Sequence, residues 1–295
     1  MEVNHRMEVG QGKLFICATP IGNLNDVSFR LLETLKTVDL IISEDTRTIK
    51  KLLSKFKINY QNSCIESYHD NSGEQKEKQI IEKLKSGLNV ALVSESGMPL
   101  ISDPGYRIVR KCIDEGISIT VIPGPNAALC ALVASGLAVD NFLFIGFLPK
   151  SEEKLKNKLK DLKNIPFTMI FYESPNRIKR LLGIILEIFG DRDACVAREI
   201  TKVYEEYIRG KVTYILNELD NREKAGNKLK GEVVLVLDGL KGLKKKDFSE
   251  GEIKEKLEEL LEKKVTRKEA FKDILLKYEI DRKNLYDIYI KIKKS

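Results

Sequence analysis

The sequence predicts an α/β protein: two α/β domains followed by a small C-terminal helical, helix-turn-helix-like domain. Short apolar runs alternate with amphipathic stretches over residues 14–135, the pattern of a mostly parallel sheet covered by helices. A second set of strand-like runs, at 167–172, 194–197 and 232–237, follows the apolar segment 142–149. From residue 249 the pattern is helical only. The expected divisions are a disordered leader over 1–12, an N-terminal α/β domain over 13–148, a second over 149–240 and a basic helical domain over 241–295.

Taken in order, the first domain reads as a strand at 14–18, a turn at 19–23, a helix at 27–37 and a strand at 40–43. Helices at 48–56 and 74–86 precede a strand at 90–93. A helix at 106–115 and a strand at 117–122 come next. Pro123-Gly124-Pro125 then breaks the chain before a small-residue helix at 126–135. The Lys- and Glu-rich helix 151–163 opens the second domain, with further helices at 175–189 and 211–219 and a polar, mobile loop at 221–229. A linker at 243–248 leads to helices at 249–262, 266–277 and 281–292. Thr266 and Glu269 have the spacing of a capping box. Three short helices with tight turns fit either a helix-turn-helix module or a plain bundle.

Composition narrows the function class. The chain is 42% hydrophobic and 32% charged, which suits a globular protein and not a disordered one. No apolar run approaches the roughly 18 residues of a membrane span, and residues 1–12 hold no apolar signal core, so the cytoplasm is the expected location. The cysteines (Cys17, Cys64, Cys112, Cys130, Cys195) are scattered and never spaced as C-x-x-C, which argues against a disulfide framework or zinc site. Only His5 and His69 offer imidazoles, so no metal is expected. The net charge of +7 has a local source: residues 241–295 hold 17 Lys+Arg against 12 Asp+Glu, and nucleic acid is a fair partner for such a tail.

The chemistry-bearing segments sit almost entirely at the C-terminal ends of predicted strands, where α/β proteins build ligand sites. The longest is Ser94-Glu95-Ser96-Gly97-Met98-Pro99-Leu100-Ile101-Ser102-Asp103-Pro104-Gly105, far longer than a simple turn requires. Glu44-Asp45-Thr46-Arg47 gathers two carboxylates and a guanidinium; its plain alternative is Asp45 capping a helix beside a surface ion pair. Asp103 has the same capping alternative, and His69-Asp70-Asn71 forms a polar loop. Thr19-Pro20-Ile21-Gly22-Asn23 stands where a glycine-rich nucleotide loop would be, but proline donates no N–H, which disfavours a pyrophosphate ligand. Tyr172-Glu173-Ser174-Pro175 and Arg198-Glu199-Ile200-Thr201-Lys202 end two further strands and would converge on one cleft if those strands were adjacent.

Together with Pro123-Gly124-Pro125 and Gly146-Phe147-Leu148-Pro149, these segments resemble the ribosomal RNA small subunit methyltransferase I family of the tetrapyrrole (corrin/porphyrin) methylase superfamily, from about Lys13 to Asp238. The resemblance implies two α/β domains of the tetrapyrrole methylase type with S-adenosylmethionine in the cleft between them, in a homodimer. It implies 2′-O-methylation of a cytidine in the decoding centre of 16S rRNA within the 30S subunit. Carried onto this chain, Pro20, Gly97, Met98 and Pro99 would line the cofactor with Asp103 nearby. Ala127, Ala128, Tyr172, Ala197, Gly231 and Glu232 would complete the pocket, and Glu44, Asp45 and Arg47 would face the RNA.

The chain departs from the family at Glu95-Ser96-Gly97-Met98-Pro99, where Asp-Ala-Gly-Thr-Pro is usual, and at Asn176, where histidine is common. Glu44, Asp45 and Asp103 are the candidate bases for a ribose hydroxyl. Arg47 and Lys202 would hold phosphate or a developing alkoxide. Asp45 and Arg47 are expected to position the nucleotide, and the tail to serve RNA and not cofactor. Two other readings stand: a tetrapyrrole-precursor or diphthine-type methyltransferase, which leaves the basic tail without a use, and a non-catalytic ribosome-assembly RNA-binding factor.

Overall fold

The computed structural model describes residues 10–60, 64–69, 72–240, 249–263, 265–278 and 280–294. Most of the expected leader, the 243–248 linker, His5, Asp70 and Asn71 lie outside them. The chain divides into two compact units, Met1–Lys160 with Thr168–Leu237, and Asp161–Phe167 with Asp238–Ser295.

The first unit holds two five-stranded sheets. Strands β1 (Leu14–Cys17), β2 (Leu40–Ser43), β3 (Cys64–Ser67), β4 (Val90–Val93) and β5 (Ile119–Ile122) form an all-parallel sheet in the order β3-β2-β4-β1-β5. β2 and β4 are buried along their whole length, as the central strands of a parallel sheet must be. Their alternation sorts the core. Leu40, Ile42, Val90 and Leu92 pack against Ile80, Leu84, Ile108 and Cys112 of helices α3 (Gly73–Lys85) and α4 (Tyr106–Asp114). Ile41, Ala91 and Val93 pack against Leu31, Leu35, Ile49, Leu52 and Leu53 of α1 (Phe29–Thr37) and α2 (Thr46–Lys55). β3 escapes a sequence reading because it is an edge strand with one apolar side chain, Ile65, among four half-exposed or exposed residues.

The second sheet has the order β6-β7-β10-β8-β9, from β6 (Phe142–Phe147), β7 (Thr168–Glu173), β8 (Asp193–Arg198), β9 (Glu206–Lys211) and β10 (Val233–Leu237). Four differences from expectation appear here. Residues 142–147 pair in parallel with β7, with a bulge between Phe144 and Gly146, so the segment expected to end the first domain belongs to this sheet. The sheet is mixed: only β6 and β7 are parallel, and β10 runs antiparallel to both β7 and β8. β7 and β8 are therefore not adjacent; β10 lies between them, and its start brings Gly231 and Glu232 in among their C-terminal ends. β9, another edge strand, was not expected. Helix α5 (Ala127–Ser135) leaves the first sheet but packs Ala128, Ala131 and Leu132 on Ile170, Cys195, Val234 and Val236 of the second.

Helices α6 (Glu152–Leu162), α7 (Ile178–Phe189) and α8 (Val212–Lys224) complete the two-layer arrangement. α8 overruns the loop expected from residue 221. Arg222 explains it, holding Glu218 one turn back and both oxygens of Glu206 on β9, at 2.6 and 2.8 Å.

The second unit packs α9 (Glu250–Glu262), α10 (Arg267–Lys277) and α11 (Arg282–Lys294) around Ile253, Leu257, Ala270, Phe271, Ile274 and Leu285. Thr266 and Glu269 form the expected capping box, and Ser249 with Glu252 forms a second. Thr266→Ala is expected to cost about 1 kcal/mol, the usual value of such a cap, read as faster amide hydrogen exchange in α10.

Candidate functional site

Two turns at the ends of adjacent strands build one wall. The turn after β1 and the long loop after β4 are joined by an isolated antiparallel bridge, Thr19 N–H to Gly97 O at 2.9 Å and Gly97 N–H to Thr19 O at 3.1 Å. Beneath it the buried Ser94 hydroxyl donates to Gly97 O at 2.7 Å, and the Thr19 hydroxyl donates to Ser94 O at 3.2 Å. Beyond the bridge the loop is unusually constrained: Gly97, Leu100, Ser102 and Gly105 all have positive φ. Leu100 and Ser102 adopt it at a steric cost of about 1 kcal/mol or more each. On the facing sheet Glu199 and Thr201 do the same, so four of the five non-glycine positive-φ residues among those described lie on these two turns.

The facing wall is tied by charge. Lys202 Nζ donates to Glu199 at 2.9 Å and to Glu232 at 3.0 Å, while the Glu232 N–H donates to Glu199 Oε1 at 2.9 Å. The walls touch where Asn23 N–H donates to the Thr201 hydroxyl at 3.0 Å and where Gly22 leaves room for the Lys202 stem.

A cavity of about 500 Å³ opens between them. Glu44, Glu95, Asp103, Glu173 and Glu232 line it with the apolar surfaces of Ile21, Met98, Phe147, Tyr172 and Ile200. No Lys or Arg is among the described residues lining it. Glu173 is buried; its Oε2 has no hydrogen-bond partner, only the Arg177 guanidinium at 3.3 Å. Tyr172 stands edge-on to Phe144 and Phe147 at 5.0 and 5.5 Å. Burial, together with the charges of Glu44 and Glu95, pushes the Asp103 carboxyl up to about 6. Glu44 also lies 3.7 Å from His69 Nδ1.

The expected site residues divide into three groups. Glu44, Gly97, Met98, Asp103, Ala127, Tyr172, Gly231 and Glu232 line this cavity together. Pro20 and Lys202 line a neighbouring one. Pro99, Ala128 and Ala197 are buried, Ala128 and Ala197 within the core under the second sheet, and Asp45 and Arg47 lie outside both cavities. Asp45 caps α2 through the Arg47 N–H at 2.8 Å and grips the Arg47 guanidinium through both oxygens, which pulls its carboxyl down to about 2. Glu95, Ser96, Phe147 and Glu173, which lie inside the quoted segments, and Asn126, which follows one, also line the cavity without having a role expected from sequence.

A profile of the Tetrapyrrole (Corrin/Porphyrin) Methylases matches residues 13–215. Ribosomal RNA small subunit methyltransferase I of Bacillus subtilis (strain 168) is 41% identical over 285 residues, covering 94% of each chain. The protein of the same name from Thermotoga maritima is 42% identical, over 77% of this chain and 99% of its own. Among solved structures, the methyltransferase CobJ superposes with a TM-score of 0.57 at 18% identity, over 78% of this chain and 95% of its own. Diphthine synthase gives 0.55 at 13% identity, over 77% and 89%.

Two consequences are measurable. A Cβ on Gly231 would fall 2.2 Å from the Glu199 carboxyl at a φ of +90°, so Gly231→Ala should cost about 2 kcal/mol in urea unfolding. Asp103 titrates higher in the fold than its ordinary 3.8, so the fold gains most from it below about pH 4 and loses that gain as pH rises through 6. Asp103→Asn should therefore raise stability by about 1 kcal/mol at pH 8, allowing for partial solvent screening, and leave it unchanged near pH 4; thermal melts across that range check the sign.

Proposed function

As this chain belongs to the tetrapyrrole methylases, and within them to the ribosomal RNA small subunit methyltransferase I proteins, we propose that it methylates ribosomal RNA with S-adenosylmethionine. In the finer form of this reading the acceptor is the ribose 2′-hydroxyl of a cytidine in the decoding centre of 16S rRNA. The protein then acts on the 30S subunit as a cytoplasmic homodimer. No helix among the described residues is long and apolar enough to cross a membrane.

The acid-lined cavity is the observation that carries the choice of cofactor. S-adenosylmethionine brings a sulfonium, an ammonium and a flat adenine, and supplies an electrophilic methyl group when bound. Of the five carboxylates, Glu173 and Glu232 are ion-paired with Arg177 and Lys202, which leaves Glu44, Glu95 and Asp103, with no Lys or Arg ion pair among the described residues, to suit the positive groups. Tyr172, Phe147 and Ile200 give the apolar surface for a ring, and about 500 Å³ is an ordinary size for a cofactor site. Met98 lines the cavity where the family usually has threonine, so its thioether replaces a hydroxyl against the ligand.

Among the candidate bases, Asp45 is poorly suited, since Arg47 holds its carboxylate far down. Asp103 lines the cavity, is half-buried and titrates nearer neutrality, which suits it to take the acceptor hydroxyl's proton. The rigid loop from Gly97 to Gly105 would hold that carboxylate in place, and positioning supplies much of the acceleration in such a transfer.

Mapping ribose methylation in rRNA from cells with and without the protein tests the reading, with calorimetry against S-adenosylmethionine alongside. Loss of one 2′-O-methylcytidine and micromolar binding are expected. An unchanged methylation map would remove the proposed acceptor, and absence of binding would favour a non-catalytic assembly factor.

A further inference from the structure

The cations on α2 form a row beside a second cavity, and we infer that this row holds the phosphodiester backbone of single-stranded RNA whose acceptor nucleotide enters that cavity. The inference rests on the reading of the chain as an RNA methyltransferase and locates its substrate. Residues 46–57 carry five cations, Arg47, Lys50, Lys51, Lys55 and Lys57, and no acid. Ile49, Leu52 and Leu53 bury one face of α2, and helical spacing sets Arg47, Lys50, Lys51 and Lys55 on the opposite face, over about 12 Å of its length. All four are exposed.

Several lysines of this unit, among them Lys76, Lys83, Lys111, Lys156 and Lys179, are neutralised by carboxylates. In the C-terminal unit Lys256, Lys263 and Lys291 are paired as well. Among the described residues Lys50, Lys51 and Lys55 make no ion pair or hydrogen bond. Asp45, which acts on Lys51, is already gripped by Arg47, so the three lysine charges on one face still repel one another, and a polyanion relieves that repulsion while releasing its own counterions.

The second cavity, about 350 Å³, lies against this helix and takes Lys51 and Thr48 into its lining, with Lys202 opposite. It shares Ile21, Glu95, Ser96 and Glu232 with the first, so the two adjoin across a common wall. Charge separates the two: the first is lined by five carboxylates and, among the described residues, no cation, whereas the second mixes Glu95 and Glu232 with Lys51 and Lys202. Lys202 is already paired with Glu199 and Glu232, which leaves Lys51 at the α2 rim as the cation for a phosphate. An acceptor in the second cavity would meet the donor, and Asp103 beyond it, past the shared residues Glu95 and Ser96.

The test uses the full chain with Lys50→Gln/Lys51→Gln/Lys55→Gln, substitutions on an exposed helix face. Fluorescence anisotropy with a short cytidine-containing single-stranded RNA, at about 50 to 200 mM salt, should show at least a roughly tenfold loss of affinity. The slope of log affinity on log salt should fall by about two, three contacts at roughly 0.7 each. S-adenosylmethionine affinity by calorimetry should stay within about twofold. Lys51→Glu alone, at the cavity rim, should raise KM for RNA more than Lys55→Glu does. Unchanged affinity and slope in the triple variant of a methylating protein would overturn this inference alone. A loss on 30S subunits with none on the free oligonucleotide would assign the row to a ribosomal protein and also overturn it. A wild-type protein whose RNA affinity depends on α2 but which transfers no methyl group would uphold the RNA surface and remove the proposed function.

Discussion

The paired hydrogen bonds between Thr19 and Gly97 are the constraint on which the site depends. They close a two-residue antiparallel bridge across the ends of two parallel strands, where the regular ladder has already stopped. Without it the turn after β1 and the loop after β4 would leave four backbone groups for water. With it, Ser94 and Thr19 lock the bridge from below, and a buried network of this kind is strong because every member is satisfied. The bridge also fixes where Ile21, Glu95 and Ser96 stand, and these form the wall common to both cavities.

The second constraint is electrostatic. Glu199, Lys202 and Glu232 bind the end of β8 to the start of β10, and Lys202 is the cation that keeps two carboxylates compatible at that point. On the cavity side the burial of Asp103, with the charges of Glu44 and Glu95 beside it, gives a carboxyl that resists ionising. The fold tolerates this instability because two sheets and α5 enclose it in well-packed apolar surface. Strain at Leu100, Ser102, Glu199 and Thr201 has the same character: it is local, confined to the two site-forming turns, and sustained by the surrounding core.

Much of the architecture was legible before any coordinates. β2 and β4 announce themselves because a strand buried on both faces must be apolar throughout, and α2 because Ile49, Leu52 and Leu53 recur at helical spacing. Edge strands β3 and β9 did not, since one side of each meets solvent and their side chains are mixed. α8 was cut short for a related reason: the polar residues that suggested a loop are held helical by Arg222, whose partner Glu206 lies 16 residues away. The site shows the same division. The segments bearing Glu44, Gly97, Asp103, Tyr172 and Gly231 could be chosen as strand ends, whereas Glu173 looked like one more charge until its burial was seen.

The sequence by itself determined which residues cluster at strand termini, the α/β class, the helical C-terminal segment and the family, because these follow from local periodicity and from short ordered motifs. Tertiary structure decided which ends meet. β10 lies between β7 and β8, the second sheet is mostly antiparallel, and Asp45 turns to Arg47 while Asp103 turns to the cavity. Strand order and side-chain direction depend on contacts between residues far apart in the chain, and no local pattern encodes them. Only the fold shows that Lys50, Lys51 and Lys55 make no ion pair with the described residues and that a cavity lies alongside.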